Sequence, residues 1–181
     1  MKIIIHVSGK DRAGVIARLT QAVFQAKGNL EDVSMTRLED ELAMVLLADF
    51  TSGRNYLKFK RSIAGLKKSL KLEIYEKKLN RKLKRGEKHA RHSTPYVVSV
   101  FGREREGIVF HVTSLLANHG LNITDLNSRI SGEKQKAVYM LVLEVDISPK
   151  TSIDHLQKSF SKLAQKLKVR IVLNPLKTAT L

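Results

Sequence analysis

The chain opens with an alternation of polar and apolar positions in which Ile3, Ile5 and Val7 share one side. That period of two predicts a half-buried strand. The period then changes: Val15, Ile16, Leu19, Ala22 and Val23 recur at helical spacing, the stripe of a helix lying on a core. Residues 30–38 and 42–50 read as two strands joined through Glu39-Asp40-Glu41. Tyr56, Phe59, Ile63, Leu66 and Leu70 give a second helical stripe, and residues 71–76 a closing strand. The succession then starts again. Tyr96, Val98 and Val100 alternate, and Ile108, Val109, Val112, Leu115 and Leu116 form a helical stripe. Strands at 122–131 and 137–146 flank Ser131-Gly132-Glu133; Ile153, Leu156, Phe160, Leu163 and Leu167 follow as a helix, with a last strand at 168–173. The first helix of each half stops near Lys27-Gly28 and His119-Gly120, where a glycine can take the left-handed cap.

The two successions are copies. Gly9-Lys10-Asp11-Arg12-Ala13-Gly14-Val15-Ile16 aligns with Gly102-Arg103-Glu104-Arg105-Glu106-Gly107-Ile108-Val109 at an offset of 93, and Asn29-Leu30 with Asn122-Ile123 at the same offset. Met44-Val45-Leu46-Leu47 aligns with Met140-Leu141-Val142-Leu143 at 96, and Leu70-Lys71-Leu72 with Leu167-Lys168-Val169 at 97. An offset that grows at turns is the mark of a loop insertion in a duplicated domain. Each half reads βαββαβ. With right-handed crossovers, that order gives an α+β, ferredoxin-like domain: a four-stranded antiparallel sheet with two helices on one face. The expected division is a first domain at 1–77, a basic linker at 78–94 and a second domain at 95–176. A domain of this size buries a limited core, and one sheet face has no helices over it. Pairing of domains, and a homodimer, are therefore expected.

Composition narrows the chemistry. Among 181 residues there is no cysteine, which removes disulfides, thiol catalysis and cysteine-ligated metals and fits a reducing compartment, the cytoplasm. No apolar run reaches the roughly 18–20 residues that span a bilayer, and no signal-peptide pattern opens the chain; no membrane association is expected. The net charge is +16, and residues 77–95 alone carry eight basic side chains against one acidic. Such a run is first a solvated linker and second a phosphate-binding segment with strong salt dependence. Leu79 and Leu83, four apart, suggest a helical turn within it. Lys158, Lys162 and Lys166 form a basic stripe on the last helix. His6, His111, His119 and His155 fall at unrelated positions in the two halves, and His89 and His92 lie among the cations of the basic segment, so no metal site is expected, nor any cofactor. No nucleophile elbow, Walker loop or carboxylate pair is present, so no catalytic residue is assigned.

One motif occurs twice. Gly9-x-Asp11-Arg12-x-Gly14-Val15 and Gly102-x-Glu104-Arg105-x-Gly107-Ile108 both sit where the first strand becomes the first helix, and Asn29-Leu30 and Asn122-Ile123 both sit where the second strand starts. This resembles the ACT domain family of amino-acid-sensing regulatory modules, over nearly the whole chain apart from 78–94. The tandem layout without a catalytic domain resembles the glycine cleavage repressor group within that family. The resemblance implies a small amino acid, of the glycine or serine type, held between paired domains, and transcription regulated through a partner protein such as an activator. The implied ligand-binding residues are Asp11, Arg12, Ala13, Gly14, Asn29 and Leu30, with Glu104, Arg105, Glu106, Gly107, Asn122 and Ile123 in the second copy. The chemistry agrees: a helix start offers free N–H groups to a carboxylate, glycine permits close backbone approach, and an Asn or Asp oxygen can accept from an ammonium. Glu104 and Glu106 place longer carboxylates where a ligand carboxylate would sit, which favours the first loop.

Two other functions share the βαββαβ order. RNA-recognition modules stack bases on aromatics of strands one and three; Tyr139 alone in strand three is no such platform, which leaves nucleic-acid contact through 77–91 as the alternative. An acylphosphatase-like enzyme needs a phosphate cradle in the first loop, and Asp11 beside Arg12 opposes it.

Overall fold

The computed structural model describes residues 1–79, 89–90, 92–132 and 137–176. The chain divides into two compact units, Met1–Gly86 and Glu87–Leu181. The first holds β1 (Lys2–Lys10), α1 (Val15–Gln25), β2 (Gly28–Leu38), β3 (Glu41–Phe50), α2 (Gly53–Leu70) and β4 (Glu73–Lys78); the second holds β5 (Thr94–Gly102), α3 (Ile108–Asn118), β6 (Asn122–Ser131), β7 (Val138–Ile147), α4 (Ile153–Leu167) and β8 (Val169–Pro175). The sheets run β2-β3-β1-β4 and β6-β7-β5-β8, antiparallel throughout. This is the expected α+β architecture, built twice.

Burial follows the strand alternation. Ile3, Ile5 and Val7 of β1 and Leu42, Met44, Leu46, Ala48 and Phe50 of β3 meet Val15, Leu19, Ala22 and Val23 of α1 and Phe59 and Ile63 of α2. The second core repeats this with Val98, Val100, Leu141, Leu143 and Val145 against Ile108, Val112, Leu116, Leu156 and Phe160. The helical stripes are narrower than the apolar pattern suggests: Ile16 and Val109 lie largely outside the cores. Helices α2 and α4 start on serine caps, Ser52 accepting from the Asn55 N–H and Ser152 from the His155 N–H, which satisfies a donor the helix leaves open.

Four details differ from the sequence reading. Val7 pairs with Met44 and Val100 with Leu141, so the third strands correspond at an offset of 97, not 96. The β2–β3 turn lies between Leu38 and Glu41, whereas β6 and β7 close at Ser131 and Val138. Four extra hairpin residues thus account for the whole change from 93 to 97. At the end of α1 the left-handed residue is Lys27, with φ 53°, while its counterpart Gly120 has φ 68°; Gly28 is already in β2. Finally, the Leu79 N–H donates to the Lys2 carbonyl, extending the β1–β4 ladder rather than starting a helix. Leu83 and residues 80–88, with 91, lie outside the described residues. Among the described residues, no helix is long and apolar enough to cross a membrane.

Candidate functional site

The two motifs are built alike. Gly14 and Gly107 stand before α1 and α3 with φ 89° and 83°, and no side chain caps either helix. A left-handed residue at that point turns the chain sharply from strand to helix; in α1 the Val15 N–H donates to the Arg12 carbonyl at 3.2 Å, and no side chain takes the remaining N–H groups that a helix start leaves open. In the first loop Asp11 is tied down: its N–H donates to the Asp40 carbonyl at 2.7 Å, and its carboxylate lies 3.3 Å from Arg37 Nε. Lys10 binds Asp40 at 3.0 Å, and this hydrogen bond holds the Asp40 carboxyl below the usual carboxylate range. Asp11 therefore anchors the loop to the β2–β3 turn, and Arg12, Ala13 and Gly14 form its exposed part. In the second loop Glu104, Arg105 and Gly107 line a shallow cleft of about 360 Å³ with Phe110 and Tyr139; Glu106 is exposed.

Asn29 and Leu30 begin β2 at the other end of α1. Eleven residues of helix separate the two groups, about 16 Å at 1.5 Å per residue. One domain therefore brings Asp11–Gly14 together, and Asn29 with Leu30, but not the two sets with each other. The same holds for Glu104–Gly107 against Asn122 and Ile123 across α3. Both strand starts carry the same irregularity: the register shifts between Leu30 and Asp32 in β2 and between Ile123 and Asp125 in β6. Such a bulge bends a strand and re-aims its side chains.

Each strand start also has an aspartate that lies outside the repeated motif. Asn29 pairs with Asp49, and Asn122 with Asp146. Asp49 lines a cleft of about 560 Å³ with Asn29, Phe24, Lys27 and Thr51, and its Oδ1 accepts from the Met1 ammonium at 2.8 Å. Asp146 is buried, 6% exposed, within 2.8 Å of His89 Nδ1 and 2.7 Å of the Ala90 N–H. A buried carboxylate persists only with hydrogen-bond partners, and these contacts fix residues 89–90 against the end of β7. The offset of 97 is the signal that would have found this pair; at 96 Asp49 falls opposite Val145. Among the described residues, no group of three or more metal-ligating side chains comes together.

ACT domain models match residues 2–83 and 96–159. A UPF0237 protein of Pyrobaculum aerophilum is 33% identical over 76 residues, 41% of this chain and 80% of its own. One from Methanopyrus kandleri is 38% identical over 48 residues, 26% of this chain. The chain spans only 53% of that relative and 57% of its Clostridium acetobutylicum counterpart. Among solved structures, an unknown protein from Galdieria sulphuraria superposes with a TM-score of 0.78 at 20% identity, covering 97% of this chain and 98% of that one. A protein proposed to be a glycine cleavage system transcriptional repressor gives 0.68 at 20% identity, with 98% of each chain covered. At these identities the likeness is one of fold. The two family matches together take in most of the chain, which belongs to the ACT domain family and carries the domain twice.

Proposed function

We propose that the protein is a non-enzymatic, cytoplasmic amino-acid sensor that regulates transcription through a protein partner. Its ligand is a small amino acid of the glycine or serine type. The observation that supports this reading is the pair of half-sites at opposite ends of one helix. The uncapped start of α1 behind Gly14 suits a carboxylate. The bulged start of β2, with Asn29 beside Asp49, suits an ammonium. An amino acid carries both groups on one carbon, so a ligand spanning them needs a loop from one ACT domain and a strand start from another. Homodimerisation supplies such pairs. The two ACT domains and the repressor-like solved structure support the regulatory, non-enzymatic role.

Thermal unfolding of the dialysed protein with each of the twenty amino acids tests the reading. A ligand at about 100 times its Kd adds about 2.7 kcal/mol, a shift of about 5–10 °C for a chain this long. The expected result is a shift with glycine or serine that Asn29→Ala or Gly14→Val abolishes. Flat curves with all twenty overturn the sensor reading.

A further inference from the structure

The two sheets have the same topology but different open faces. Across the second, Arg129 lies opposite Met140, Met140 opposite Phe101, and Phe101 opposite Arg170. The row faces away from the helices, because its strand neighbours Val100 and Leu141 are fully buried. Phe101 is 37% exposed, and both arginines are exposed. Among the described residues neither arginine pairs with a carboxylate. The equivalent row of the first sheet is Thr36, Ala43, Ser8 and Glu73. The fold thus stands with small and acidic residues at these positions, so packing does not demand an exposed phenyl ring between two cations. Packing does hold the adjacent core row alike, with Val7 and Met44 answering to Val100 and Leu141.

We infer that this row of the second unit binds single-stranded nucleic acid, one base stacking on Phe101 and the flanking phosphates meeting Arg129 and Arg170. This goes beyond the sensor reading and does not depend on it. Every base has a π-face, so one exposed ring serves without reading sequence, and the Met140 side chain beside it extends the apolar platform. The arginines stand three strand spacings apart, about 14 Å at roughly 4.8 Å each. That span is too long for a lone mononucleotide and suits a backbone crossing the strands. A duplex keeps its bases stacked inside, so the ring selects single strands. The chain's net charge of +16 adds long-range attraction.

The chain has no tryptophan, so full-length Phe101→Trp carries a single reporter at the platform. A twelve-nucleotide oligouridylate or oligothymidylate is expected to quench it, while inorganic phosphate and the matching duplex leave it unchanged. Anisotropy of the labelled oligonucleotide is expected to show binding weakened about tenfold by Phe101→Ala. Arg129→Gln with Arg170→Gln is expected to flatten the log–log salt slope by about 1.4, at 0.7 per phosphate. Circular dichroism of each variant checks that it is folded. The inference is overturned if no single strand binds, if duplex binds as well without quenching, or if the face variants bind normally while neutralising Arg81, Lys82, Lys84 and Arg85 abolishes binding.

Discussion

A side chain at a left-handed backbone position costs energy that glycine does not, because Cβ crowds the carbonyl. Lys27 sits at φ 53° where the second copy has Gly120. Lys27→Gly is therefore expected to stabilise the protein by about 0.5–1 kcal/mol. The next residue behaves in the opposite way. A Cβ on Gly28 would lie 2.6 Å from Phe50 Cε1 and 2.9 Å from Val23 Cγ1, so Gly28→Ala is expected to cost about 1–3 kcal/mol by overpacking. Urea unfolding of the two variants measures both signs. The sequence identified the turn but not which residue bends it, since Lys-Gly is compatible with either and only the Phe50 and Val23 side chains decide. The sequence does not single out Phe101 for a related reason: only the pairing of β5 with β7 and β8 sets its ring beside Met140 and Arg170.

At the scale of elements, α2 and β4 are joined by the Tyr56 hydroxyl donating to the Glu76 carboxylate at 2.5 Å. Burial, and then the Glu76 carboxylate, push the Tyr56 hydroxyl up from 10.0 to about 12. A raised folded-state value favours the protonated form. The contribution of this contact is therefore fully present below pH of about 10 and lost as pH rises through about 12. Absorbance titration is expected to show a tyrosinate component near 12 that Tyr56→Phe removes, and alkaline unfolding to lose its steepness in the same variant. Element types and order were legible because the periods of 2 and 3.6 repeat in both halves. The register of the third strands was not. Met44 and Met140 offer an attractive match one residue out of step, and hydrophobic runs tolerate that slip until burial of alternate faces rejects it. The same slip concealed Asp49 and Asp146 as counterparts.

Among the described residues each unit has a hydrophobic core of its own. Leu46 and Leu143, at equivalent places in β3 and β7, are almost wholly buried. Replacing either by alanine is expected to cost about 2–5 kcal/mol. Hydrogen exchange is expected to show the larger loss of protection within residues 1–79 for Leu46→Ala and within 94–176 for Leu143→Ala. A uniform loss across both would contradict two cooperative units. The duplication itself was the most legible property of the sequence, because the glycine-bearing turn recurs with its spacing intact. The separation of the half-sites by the length of α1 was not, since a motif written on one line gives no sense of which end of a helix each part occupies.

The contrast between the open faces carries an evolutionary consequence. In a dimer of identical single-domain chains, every substitution appears on both subunits, and a residue harmful at one place is harmful at its mirror image. Fusing the copies into one chain lifts that restriction. Ser8 and Glu73 can persist in the first repeat while Phe101 and Arg170 occupy their positions in the second. Covalent duplication thus lets two copies of one fold carry different open faces.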